Sequence, residues 1–154
     1  MIFQLRLPNQ LCELQSVQLL FLNEDADKLR KQLQNSGAEK IISYFDQDST
    51  DDPRWGTGHS VLRESYQFLL NIILEEKWLG LIIKPKKPKN VRKILGDVNS
   101  LLDQALLTGR CYIFENHDDF SPKNYANPPA QSAMASDIAI QEEMVAGTAG
   151  IEAV

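Results

Sequence analysis

The chain has 154 residues, enough for one domain of ordinary size, and 43% of them are hydrophobic, enough to fill a single core. Its 21 acidic and 16 basic side chains leave a formal charge of −5, which excludes a general nucleic-acid binder, because non-specific phosphate attraction requires a net basic face. Cys12 and Cys111 are far apart and show no metal-ligand spacing, so neither a disulfide framework nor a zinc site is expected, and a reducing, cytosolic setting fits.

The N-terminal segment "MIFQLRLPNQLCELQSVQLLFL" is interrupted by Gln4, Arg6, Asn9, Gln10, Glu13, Gln15 and Gln18. It offers neither a signal-peptide core nor the roughly 20 apolar residues of a bilayer span, so any membrane association of the full-length protein is expected to be peripheral, at the inner face. "VQLLFL" (17–22) reads as a strand, and a polar helix with Ala26, Leu29 and Leu33 follows near 24–35, ending before Gly37.

From residue 40 onward short apolar runs alternate with stretches of helical period. "KIISYF" (40–45) is a buried strand, followed by a long polar loop. The segment 60–77 is a crossover helix with Leu62, Tyr66, Leu69, Leu70 and Ile73 on one face and Ser60 as its N-cap. "LGLII" (79–83) is the second strand. The segment 90–109 is one long helix, capped by Asn90 and ended by Gly109 in a left-handed conformation. "CYIF" (111–114) is a third strand, "PPAQSAMA" (128–135) a short helix opened by proline, and "DIAI" (137–140) a fourth strand. "GTAGIEAV" begins the next helix.

This alternation predicts an α/β fold, a Rossmann-like, mostly parallel sheet with helices on both faces. Residues 38–154 are expected to form the domain, incomplete at its C-terminus, with 1–37 a remnant of or linker from an upstream domain. Open sheets of this type continue with a helix of about three turns and further strands, so an imposed boundary or truncated reading frame is expected over a short natural paralogue.

Three stretches carry candidate chemistry. In "DIAIQEEMVAGTAGIEA", Gly147 and Gly150 permit a tight turn, Thr148 can cap, and the free N–H groups of the first helical turn suit a diphosphate. Glu152 is then placed to accept hydrogen bonds from a ribose. Against this, the same residues suffice for a plain strand-to-helix turn, and Glu142 and Glu143 repel phosphate unless they point outward.

In "GLIIKPKKPKN" the prolines exclude helix and strand pairing, so Lys84, Lys86, Lys87 and Lys89 are expected in an extended loop at a strand's carboxyl end. Lys84 is the best placed to meet phosphate, the other three forming a solvated patch. In "SYFDQDSTDDPRWGTGHS", Asp46 and the group Trp55, Gly56, Gly58 and His59 either line a cleft or belong to a surface connection. Glu115, His117, Asp118 and Asp119 follow another strand without a metal-binding spacing rule, and no metal is expected there.

Taken in order, "IISYFDQ", "LGLIIKPKKP", "GRCYIFEN" and "SDIAI" followed by "VAGTAGIEAV" resemble the C-terminal, donor-binding half of GT-B-fold glycosyltransferases. Specifically, they resemble bacterial surface-polysaccharide biosynthesis proteins of the PFTS-motif kind, and the resemblance covers about residues 38–154. It implies that Gly147, Thr148, Ala149 and Gly150 contact the diphosphate of a nucleotide-sugar donor, Glu152 the ribose, and Lys84 the phosphate charge. It further implies no cofactor and no metal, with backbone donors and basic side chains stabilising the leaving nucleoside diphosphate.

The family pattern extends past residue 154, and its N-terminal acceptor-binding domain, which usually supplies the catalytic base, is expected to be represented here by at most some forty residues. No catalytic residue is therefore assigned, and the chain is expected to be inactive on its own. The alternatives are a non-catalytic α/β module that binds a nucleotide or partner, and a sugar-nucleotide epimerase of the same fold.

Overall fold

Strands form where apolar side chains, many of them β-branched or aromatic, run together, as in Leu81–Ile83 and around the buried Ser43 in Ile41–Phe45; helices form where apolar residues recur every three or four positions. The computed structural model describes residues 24–47, 49–51, 58–115 and 128–141. A helix over 24–35 (α1) leads into β1 (Lys40–Phe45), α2 (His59–Glu75), β2 (Leu79–Lys84) and α3 (Pro88–Leu95). A 3₁₀ turn (Gly96–Val98), α4 (Asn99–Leu107), β3 (Cys111–Ile113), α5 (Pro128–Ala135) and β4 (Ile138–Gln141) complete the described order.

The four strands are all parallel, in the order β3-β2-β1-β4. Ile42 of β1 stands opposite both Leu81 of β2 and Ile138 of β4, and Ile82 stands opposite Tyr112 of β3. The strand period of two divides the apolar side chains between the faces. On one face Tyr44, Leu79, Leu81, Ile83, Cys111 and Ile113 meet α2, α3 and α4 through Leu62, Tyr66, Leu70, Val91, Leu95 and Leu102. On the other, Ile41, Ile82 and Phe114 meet Ala26, Leu29 and Leu33 of α1 and Ala135 of α5. Each fully buried large side chain contributes about 1.5–3 kcal/mol of transfer free energy. The chain thus folds as a Rossmann-like α/β domain with helices on both faces, and its core draws on residues upstream of 38.

Several local expectations are corrected. α2 starts after Gly58, not Ser60, and its first N–H, that of His59, donates to Asp51 Oδ1 at 3.1 Å. The expected helix over 90–109 is two helices, because Gly96 takes φ 54°, a left-handed value that interrupts the hydrogen-bond ladder. Asn99 Nδ2 answers the break by donating to the carbonyls of Arg92 and Gly96 at 2.7 and 2.9 Å. Pro88 does not exclude helix but opens α3, where its fixed φ and missing N–H cost nothing. Lys89 and Asn90 therefore lie inside α3, and Asn90 is not its cap. Gly109, at φ 71°, follows α4 as expected. The expected strand 17–22 and the helix at GTAG lie outside the described residues.

Candidate functional site

The chain moves from β1 outward to β2 and β3, then returns to β4 on the other side of β1. The strand order thus reverses between β1 and β4, and such a reversal opens a crevice at the carboxyl edge, the usual ligand position in open α/β sheets. A cavity of about 110 Å³ lies at this point. Its walls are Phe45, Asp46 and Gln47 at the exit of β1, Lys84 and Lys86 at the exit of β2, Pro129 at the start of α5 and Gln141 at the end of β4.

Local bonding fixes this wall. Asp46 is 8% exposed, and its Oδ2 accepts the Tyr66 hydroxyl at 2.6 Å while its Oδ1 accepts the Lys86 backbone N–H at 2.5 Å. One carboxylate thereby ties β1 to α2 and to the turn after β2. Lys86 Nζ donates to Gln47 Oε1 at 3.1 Å, and Lys84 Nζ donates to the Pro85 carbonyl at 2.6 Å. By alternation Lys84 shares the α1 and α5 face with Ile82. Two ammonium groups therefore border a cavity whose buried carboxylate is already engaged by donors.

Such an arrangement suits an anion of phosphate size, the volume lying below the roughly 300–1,000 Å³ typical of sites that enclose a whole small molecule. Lys84 occupies the place the sequence predicts, except that it closes β2 instead of following it. Lys86, expected in a solvated patch, also lines the cavity. Asp46 lines it too, but faces inward as a tether.

Gly147, Thr148, Ala149, Gly150 and Glu152 lie outside the described residues, as do Trp55, Gly56, His117, Asp118 and Asp119. Gly58 and His59 sit at the start of α2, away from this cavity. Glu115 receives Arg92 Nε at 2.6 Å, which pairs with Asp103 through Nη1 at the same distance. Among the described residues no cluster of three or more histidine, cysteine or acidic side chains could hold a metal. Burial pushes the Cys111 thiol up to about 12, against the opposing charge of Arg110, so it is a packing residue and no nucleophile.

Sequence reasoning missed Gln47, Gln141 and the role of Tyr66. Helical period placed Tyr66 in the core, and only the nearby acid at the strand exit signalled why tyrosine stands there instead of phenylalanine. No described helix is long and apolar enough to cross a membrane. Compared with family models, curated proteins and solved structures, the chain gives no significant match.

Proposed function

We propose that this chain is the donor-binding region of a nucleotide-sugar glycosyltransferase acting in bacterial surface-polysaccharide assembly, at the cytoplasmic side of the membrane. The observation that carries the reading is the position of Lys84, at the carboxyl end of β2 in the cavity where the strand order reverses. The strand that borders the same cavity through Gln141 leads onward in sequence to Gly147–Gly150 and Glu152. In this reading the lysine and the main-chain amides of that turn share the diphosphate charge, Glu152 takes the ribose, and an acceptor-binding domain elsewhere supplies the base.

The test is titration of the chain with uridine and guanosine diphosphates and their sugar conjugates. Binding that Lys84→Ala and Glu152→Ala each weaken supports the proposal; unchanged affinity in both variants refutes it.

A second reading, a non-catalytic module that binds a nucleotide or a partner, is favoured by the small cavity and by Asp46, whose oxygens are both occupied by structural donors. Nucleotide binding without sugar transfer, even in the presence of an added acceptor domain, would select it.

A further inference from the structure

A second cleft opens at the same sheet edge, on the face covered by α2 and α3. It measures about 380 Å³, within the range of small-molecule sites, and Ser49, His59, Arg63, Lys87, Asn90 and Lys93 line it. We propose that this cleft binds a phosphate-bearing anion, a monoester or diphosphate, independently of the sugar-transfer reading.

The charge pattern carries the inference. Among the described residues none that lines the cleft is acidic, although acidic side chains outnumber basic ones in the chain by 21 to 16. Arg63, Lys87 and Lys93 are gathered there from two helices and the turn between β2 and α3. Arg63 is held by its Nε, which donates to the Ile94 carbonyl at 2.7 Å; among the described residues its terminal nitrogens and the Lys93 ammonium have no other partner. A planar guanidinium anchored on one edge leaves its remaining donors for a tetrahedral oxyanion.

The wall carries further polar groups. Ser49 is 6% exposed, and its Oγ lies 2.6 Å from His59 Nδ1. The carboxylate of Asp51 stands beside this pair, taken up by the His59 backbone N–H at 3.1 Å and lying 3.7 Å from His59 Nε2. α3 carries no acidic residue in its first turn, so its positive end adds to the field of the side chains, whereas that of α2 is met by Asp51.

Titration of the full chain with inorganic pyrophosphate, followed by amide chemical shifts, tests the proposal. Shifts are expected at Ser60, Val61 and Asn90. The exposed double variant Lys87→Gln/Lys93→Gln should weaken the binding read at these amides about tenfold, while Lys31→Gln, an equal charge change per site on α1, should leave it at the wild-type value. Thermal melting confirms that the variants fold. Absence of binding, full affinity in the double variant, or shifts confined to Phe45–Gln47 and Gln141 would each overturn it. Because shifts at Ser60, Val61 and Asn90 report this cleft and those at Phe45–Gln47 and Gln141 report the cavity beside Lys84, failure here is distinguishable from failure of the sugar-transfer reading.

Discussion

The Tyr66 hydroxyl donates to Asp46 Oδ2 at 2.6 Å in the buried space between α2 and the exit of β1. The Tyr66 ring meets Tyr44 edge to face, with centroids 5.5 Å apart. Packing and polar tethering thus fall on one side chain.

Tyr66→Phe keeps the ring contact and removes the donor from a charged acceptor. The expected loss is about 1.5–3 kcal/mol of stability, read as a lower denaturant midpoint at unchanged slope. A second consequence follows through Asp46 Oδ1: the Lys86 amide should exchange faster with solvent. Unaltered exchange at Lys86 would show that the carboxylate is held by other means.

Arg110 is 6% exposed, and its guanidinium donates to the carbonyls of Ile73, Glu76 and Leu79 at 3.0, 2.9 and 2.6 Å. It satisfies the C-terminal carbonyls of α2 and the start of β2, which the helix itself leaves open. Arg110→Met preserves much of the stem and strands these acceptors, at a cost of about 3 kcal/mol or more. Arg110→Lys should recover only part of that, because an ammonium cannot span three carbonyls in a plane. Thermal or chemical denaturation of the two variants side by side checks the order.

Asp137 joins the two ends of the described chain. Burial raises its pKa, but the Arg30 hydrogen bond, the Ile41 N–H and the charges of Arg30 and Lys40 outweigh this and hold the carboxyl below its ordinary value of 3.8. A depressed folded value means that the stabilisation is present above pH 3.8 and is lost as pH falls through the lower folded value. Asp137→Asn should therefore cost about 1 kcal/mol near neutral pH, discounted for the open side of the group. The gap between variant and wild type should close on acidification below about pH 4. A gap that stays constant across that range would mean that the contact acts through shape alone.

The strands and the apolar faces of the helices were readable in the residues because burial on both sides demands uninterrupted apolar runs, as in Leu79–Ile83, and burial on one side demands the spacing of Leu62, Tyr66 and Ile73. Helix boundaries were less so. Periodicity passes through Gly96 without a fault, since Leu95, Val98 and Leu102 still face the core on either side of the break. Only backbone conformation reveals that the helix ends and restarts.

The lysine-proline segment misled for a related reason: proline is excluded from helix interiors but welcome at their first turn, and position alone decides between the two. At the site, Lys84 was legible because a cation directly after an apolar strand has few other places to go. Gln47 and Gln141 were not, because their roles depend on β1 and β4 becoming neighbours. Arg110 resembled a surface cation, and nothing local announces that three carbonyls converge on it.

The pairing of β1 with β4 also constrains how the chain folds. The Ile41 N–H donates to Asp137 across 96 residues of sequence. Contacts of such separation carry a loop-closure entropy that local helices escape, and they slow the search for the native topology. During synthesis β1 and β2 can associate early, whereas the other side of β1 must wait until the residues near 137 leave the ribosome. Its backbone edge is meanwhile open to wrong partners, and chaperone capture would matter most in that interval.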